Sequence, residues 1–474
     1  MTISKPPKLT LKFECGTLIL EGATEADSSY VPRMFIWDDR TRQFRAPAYL
    51  YRQIIIDFIG AKTPYRDAAK KYDAFDFKPK FRIEPRPFQT AAIEAWRRAE
   101  RCGVIVLPTG AGKTHAATMA IEMCGRQTLV VVPTIDLMNQ WYELLLSTFD
   151  AEIGLIGGGF FETGAITVTT YASAFRHQER LGNQFGLIVF DECHHLPSEG
   201  YKYAAEFAIA PFRLGLSATP ERADGNDSML EELVGKFVYR LEAQQLAGEY
   251  LADYVVERIE VDLTDEERDL YKKERDVFRR FTRSNNISFG SPDGWKTFVM
   301  RSAASEEGRR AMKAYRNSKK IALGTNAKLG VLRDLLARHK KDKVLIFTAE
   351  NEMVYQISTD FLIPAITHET NVKERKFWLD ALNKGDVSAL ATSKVLNEGV
   401  NIPDASVAII LSGSGSSREH IQRLGRILRK KGDKQAILYE VVARNTAEEY
   451  MSQRRSDAPQ FQNSKSGGNR NLFG

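Results

Sequence analysis

Val104-Ile105-Val106-Leu107-Pro108-Thr109-Gly110-Ala111-Gly112-Lys113-Thr114 is an apolar run that breaks into a glycine-containing loop and then into a helix-forming segment. The aliphatic residues Val104–Leu107 predict a strand buried on both faces, and a helix is predicted over Thr114–Cys124. A strand, a glycine loop and a helix N-terminus in this order make a phosphate-binding loop. Gly110 and Gly112 let backbone N–H groups turn onto phosphate oxygens, and the helix adds the positive end of its dipole. In this reading Thr109, Gly110 and Gly112 line the phosphates, Lys113 reaches the β- and γ-phosphates, and Thr114 ligates Mg²⁺. The strict spacing is not met, because Leu107 stands where a leading glycine belongs.

The same rhythm continues on both sides of the loop. Thr128–Val132, Ile166–Thr169, Leu187–Phe190 and Arg213–Leu216 are short apolar runs, with helical segments such as Leu137–Ser147 between them. After residue 340 the pattern returns in Val344–Phe347, Ser388–Ala391, Val407–Leu411 and Ala436–Val442, with helices at Val372–Leu382 and Glu419–Leu428. Apolar strands alternating with helices predict an α/β fold with two parallel-sheet lobes. Residues 1–80 contain strand-like runs at Thr10–Phe13 and Thr17–Leu20 and an aromatic-basic stretch from Phe35 to Tyr51, and read as a small strand-rich domain. The expected organisation is 1–80, a first lobe at 81–240, and a second lobe at 241–455. That second lobe carries a helical insertion at about 265–320, and a disordered tail of Ser, Gly, Asn and Gln occupies 456–474.

Leu187-Ile188-Val189-Phe190-Asp191-Glu192 places two carboxylates at the carboxyl end of a buried strand, where open α/β sheets bind ligands. Asp191 is suited to hold Mg²⁺, and Glu192 to orient and deprotonate an attacking water. In Gln422-Arg423-Leu424-Gly425-Arg426-Ile427-Leu428-Arg429 the arginines 426 and 429 share a helical face. Such a pair can bring guanidinium groups to a phosphate, worth about 10³–10⁵ in rate.

The 474 residues carry a net charge of +6, with 43% hydrophobic and 27% charged residues, as expected of a globular cytoplasmic protein of about three domains. No apolar run is long enough for a membrane span. Between Tyr271 and Lys320 there are 14 Lys and Arg against 5 Asp and Glu, a larger positive excess than the whole chain has. Tyr271, Phe278, Phe281, Phe289, Trp295, Phe298 and Tyr315 are interleaved with these charges. Two readings stand: a small helical core with a solvated basic face, or a surface that stacks bases and holds phosphates. The four cysteines show no CxxC spacing, so neither a disulfide framework nor a zinc ribbon is expected, and Cys193-His194-His195 has no second ligand pair.

Together these residues resemble the superfamily 2 helicases, in which the Pro-Thr-Gly opening of the loop is a familiar variant. Arg86-Pro87-Phe88-Gln89 is similar to the Q motif, and the resemblance implies Gln89 as adenine reader with Arg86 beside it. Val132-Pro133-Thr134, with Gln140-Trp141 downstream, resembles motif Ia, and Thr169-Thr170-Tyr171 resembles motif Ib. Through this likeness Pro133, Thr134, Thr170 and Tyr171 are implied as DNA contacts. Asp191-Glu192-Cys193-His194 is similar to the DExH box, and Ser217-Ala218-Thr219 to the motif that couples the lobes. Thr392-Ser393-Lys394 and Glu398-Gly399-Val400-Asn401-Ile402-Pro403 resemble motif V, implying Thr392 at the DNA and Gly399 and Asn401 at the nucleotide. The 422–429 run resembles motif VI, implying Gln422, Arg426 and Arg429 as catalytic.

Within the superfamily the XPB-type helicases are most similar, through Leu411-Ser412-Gly413-Ser414-Gly415-Ser416 and Arg418–Arg429. The resemblance implies a damage-recognition-like domain, two RecA-like lobes and a thumb-like insertion. It further implies ATP and Mg²⁺ as cofactors, and 3′-to-5′ helicase or translocase activity of a monomer on forked, single-stranded or damaged DNA in repair or transcription. One departure stands out: the Arg-Glu-Asp triplet of that family reads Arg222-Ala223-Asp224, with Arg222 and Asp224 still expected at the DNA. The missing carboxylate leaves a second reading open, a nucleotide-gated DNA clamp that recruits an accessory nuclease and unwinds little. A third is the motor of a restriction or phage recombination system.

Overall fold

The computed structural model describes residues 9–28, 31–218, 227–242, 245, 254–289, 294–393, 405–412 and 436–449. Arg222, Asp224, Gly399, Asn401, Gln422, Arg426, Arg429, the helix expected over Glu419–Leu428 and the tail at 456–474 lie outside them. The chain divides into two units, Met1–Leu241 and Glu242–Gly474.

The first unit begins with a five-stranded sheet of β1 (Leu9–Glu14), β2 (Thr17–Glu21), β3 (Ile36–Asp38), β4 (Gln43–Pro47) and β5 (Tyr65–Asp67), in the order β3-β4-β2-β1-β5. Its strands are antiparallel except for β1 beside β5. Leu9 and Leu11 are buried while Lys12 is exposed, the alternation of a sheet that is covered on one face. The cover is the helix Tyr51–Gly60, which buries Tyr51, Ile54 and Phe58. The strand-rich reading of residues 1–80 named no helix there, and the β-branched run Ile54-Ile55-Ile56 has a propensity that favours a strand. Packing overrides it.

This small sheet shares its core with the rest of the unit. Ile209, from the larger domain, is buried among Leu9, Leu11, Leu18 and Phe44. Gly16 adopts φ +76, and a Cβ there would stand 2.6 Å from the Phe207 ring. Arg52 donates to the Glu100 carbonyl at 2.7 Å and to the Pro211 carbonyl at 3.3 Å.

The larger sheet of this unit holds β6 (Cys102–Val106), β7 (Thr128–Val132), β8 (Ile153–Gly157), β9 (Phe160–Phe161), β10 (Ile166–Thr170), β11 (Leu187–Asp191), β12 (Phe212–Ser217) and β13 (Phe237–Arg240). The order is β13-β6-β12-β11-β7-β10-β8-β9, parallel throughout except for β9. Every residue of β7, β10 and β11 is buried, as continuous aliphatic runs require when helices cover both faces. The helices Lys113–Cys124, Ile135–Thr148 and Tyr171–Leu181 start at the carboxyl ends of β6, β7 and β10. The loops that carry chemistry therefore share one edge.

In the second unit β14 (Tyr254–Val261), β15 (Val344–Phe347), β16 (Ala365–Ile366), β17 (Ala389–Thr392), β18 (Val407–Ile410) and β19 (Ala436–Ala443) form a parallel sheet in the order β14-β19-β18-β15-β17-β16. Between β14 and β15 run the helices Asp265–Ser284, Gly294–Ala304, Glu306–Gly324 and Asn326–Arg338. The first starts at a capping box, with the Thr264 hydroxyl accepting from Glu267 N and the Glu267 carboxylate accepting from Thr264 N. The first three helices share a core of Phe278, Phe281, Phe298, Ala311 and Ala314.

Candidate nucleotide-binding site

The glycine loop leaves β6 and closes onto the helix Lys113–Cys124 with Gly110 at φ +86 and Gly112 at φ +82. Left-handed backbone of this kind favours glycine and turns amide groups into the loop. Gly112 is constrained a second way, since a Cβ there would meet Gln89 Nε2 at 2.4 Å. Two strands away, at the end of β11, the DExH carboxylates come to the same edge. Strand spacing puts β6 and β11 about 10 Å apart, within reach of an extended lysine. Lys113 Nζ donates to Glu192 Oε1 at 2.8 Å, and both side chains are largely buried.

Asp191 is held from three sides. Trp141 Nε1 donates to its Oδ2 at 2.8 Å, Glu192 N donates to its Oδ1 at 3.1 Å, and the Tyr171 hydroxyl donates to its carbonyl at 3.1 Å. Burial, and then the neighbouring Glu192 charge, push its carboxyl above the ordinary range, while Lys113 and the Trp141 N–H pull it back. Glu192 adopts φ +46, a left-handed conformation that costs about 1 kcal/mol in a residue with a side chain and turns its carboxylate toward Lys113. On β12, between the two loops, Ser217 Oγ lies 3.1 Å from His194 Nδ1, and the same nitrogen is 3.5 Å from Glu192 Oε2. Lys113, Glu192, His194 and Ser217 thus cluster along the sheet edge.

These residues fit a nucleoside triphosphate. Thr109 Oγ1 is buried with no hydrogen-bond partner among the described residues, so it is left able to meet a ligand oxygen. A hydroxyl at Thr114 and a carboxylate at Asp191 are hard oxygen donors of the kind Mg²⁺ takes.

The structure gives several of the residues expected from sequence partners within the protein. Both ends of the Gln89 amide are committed within the protein: Oε1 accepts from Arg86 N at 2.9 Å, and Nε2 donates to the Ala111 carbonyl at 2.9 Å and the Gly112 carbonyl at 3.3 Å. Gln89 braces the phosphate loop here. Arg86 is the N-cap of that helix, its guanidinium 6.0 Å from the Phe88 ring. Tyr171 and Thr392, expected at the DNA, are fully buried, so their side chains offer a strand no surface. Thr134 and Thr170 are helix N-caps, accepting from Leu137 N and Ser173 N. Both stand at the carboxyl ends of β7 and β10, on the edge that carries Lys113 and Asp191, with Pro133 partly exposed beside Thr134. The sequence reading gave Trp141 and His194 no role at this site. His194 lies within the DExH pattern and Trp141 beside motif Ia, but the partner of Trp141 stands fifty positions along the chain.

Comparison with known proteins accounts for both halves of this architecture. Residues 82–222 match the family described as Type III restriction enzyme, res subunit, and residues 327–431 match the helicase conserved C-terminal domain. The helicase domain of Pyrococcus furiosus Hef has a similar fold, with a TM-score of 0.50 at 19% identity, covering 78% of this chain and 98% of that one. The class is that of the superfamily 2 helicases, with RecA-like lobes.

Residues 11–69, the small N-terminal sheet and its helix, match the Xeroderma pigmentosum group B helicase damage recognition domain. The DNA 3′-5′ translocase XPB2 of Sulfurisphaera tokodaii is 41% identical over 89% of this chain and 95% of its own length. The DNA 3′-5′ helicase XPB of Mycobacterium tuberculosis is 31% identical over 78% of this chain, which spans 62% of that protein. The chain belongs to the XPB family of helicases.

Proposed function

We propose that this protein hydrolyses ATP, with Mg²⁺, to drive 3′-to-5′ movement along DNA as a monomer, separating strands or translocating on duplex in repair or transcription. The observation that carries the proposal is the 2.8 Å pairing of Lys113 with Glu192 at the head of the sheet. It sets a phosphate-loop cation beside the carboxylate to which we assign the proton of the attacking water. Bound ATP supplies the phosphoryl group whose transfer to water releases energy. Lys113 and the loop amides hold its charge, Thr114 and Asp191 hold the metal ion, and Glu192 orients the water. Arg426 and Arg429, assigned from sequence alone, add positive charge at the γ-phosphate. The names of the relatives support a motor over a clamp, and the threonine caps on the nucleotide-bearing edge support DNA lying close to the catalytic residues.

Phosphate release with duplex, forked and single-stranded DNA tests the proposal. Lys113→Ala and Glu192→Gln are each expected to lower DNA-stimulated turnover by about 10²-fold or more. Turnover at the wild-type rate in either variant would overturn it. Strand displacement on a fork, read in parallel, separates unwinding from translocation.

A further inference from the structure

On the helical insertion lies a cavity of about 530 Å³, lined by one face of the helix Asp265–Ser284, by Phe289, Trp295 and Tyr315, and by residues 445–447. One wall is cationic. Arg268, Lys272, Arg275 and Arg279 stand at alternating spacings of four and three, which aligns them as a stripe about 16 Å long on one helical face. Arg268 is paired with Asp265 at 3.0 Å. Lys272, Arg275 and Arg279 have no ion-pair partner among the described residues, and Asp276 is the one carboxylate in the lining. Arg275 Nε is buried without a hydrogen-bond partner, while its guanidinium carbon stands 5.0 Å from the Phe278 ring centroid.

The other wall is aromatic. Phe278 and Phe298 are buried and belong to the helical core, whereas Phe289 and Trp295 are each 47% exposed. The Trp295 ring lies 5.2 Å from Tyr315 and 5.5 Å from Phe298, so it is supported from behind with much of its surface open. Cations without an ion-pair partner among the described residues, set beside half-exposed rings, are not what a helical core needs for its own stability.

We propose that this cavity receives an unpaired nucleotide of a DNA strand, its base against Trp295 and Phe289 and its phosphates on Lys272, Arg275 and Arg279. The inference rests on the DNA-motor reading and adds to it a place where a single base is held. Aromatic faces stack on any base, cations neutralise the adjoining phosphates, and the volume suits one small ligand. The base must be unpaired, because in a duplex its faces are covered by its neighbours. An acidic peptide would engage the cations and leave the rings unused.

Tryptophan fluorescence of the full chain, titrated with a short oligothymidylate in the absence of ATP, tests the cavity. Quenching is expected in the wild type and lost in Trp295→Phe, which keeps an aromatic ring at that wall of the cavity. Binding of labelled oligothymidylate, read by anisotropy, is expected to weaken about tenfold in Trp295→Ala. Arg279→Gln, an exposed change that leaves the fold alone, should lower the salt dependence of binding by about 0.7 in the log–log slope. Quenching that persists in Trp295→Phe, or equal quenching by blunt duplex or by polyglutamate, would overturn the assignment. A short oligouridylate shows whether the site prefers the deoxy strand, and binding tighter than that of oligothymidylate also counts against it. Duplex-stimulated ATP turnover is a separate readout, so failure of the cavity and failure of the motor reading are distinguishable.

Discussion

At Gln89 a single amide joins a helix start to the phosphate loop, with its oxygen on the Arg86 N–H and its nitrogen on the carbonyls of Ala111 and Gly112. A carboxylate in that place would set oxygen against oxygen. Gln89→Glu is therefore expected to loosen the loop and raise the KM for ATP about tenfold, the effect of two lost hydrogen bonds plus repulsion, with a smaller change in kcat. Binding of a fluorescent ATP analogue, measured beside steady-state turnover, checks this. An unchanged KM would mean that the loop holds its shape without the brace. Gly112 answers to the same contact, because only a residue without Cβ leaves room for the Gln89 nitrogen.

Between elements the most consequential link is Trp141. It lies on the helix that Thr134 caps, and its indole holds the carboxylate at the end of β11. A helix near the expected DNA path is thus fastened to the expected metal ligand. Trp141→Phe keeps an aromatic ring but removes the donor and leaves a small void, with a buried carboxylate oxygen one partner short. We expect a stability loss of about 1–2 kcal/mol in urea unfolding and a higher Mg²⁺ concentration for half-maximal turnover. If the Mg²⁺ dependence stays where it was, the indole is only packing. In the insertion, Arg310 grips Glu274 with two hydrogen bonds, at 2.7 and 3.0 Å, and this holds the Glu274 carboxyl below its ordinary value. A depressed folded pKa means stability that is present at neutral pH and is lost as pH falls through the carboxylate range. Acid titration of helicity is expected to show a shallower decline in Glu274→Gln than in the wild type; parallel curves would contradict this.

For the molecule as a whole, what could be read from the sequence depends on how local each signal is. The strands Thr128–Val132 and Val344–Phe347 coincide with the predicted runs because a fully buried strand advertises itself as unbroken aliphatic sequence. β13 and β14 leave no such signal, since edge strands such as Phe237–Arg240 are only half covered and carry mixed residues. The phosphate loop and acidic pair were legible because their chemistry needs fixed neighbours in the chain. The indole on Asp191 was not, being fifty positions away, and the burial of Tyr171 and Thr392 depends on how whole helices and strands pack. The same logic governs the N-terminal sheet, whose interior includes Ile209 and whose turn at Gly16 sits beneath Phe207. A gene cut to remove that sheet would leave an oily socket on the remaining protein, and a chimera that grafted a foreign reader there would have to match the socket's shape. The front end is therefore bound to the side chains around residue 209, and the two surfaces can be exchanged only together.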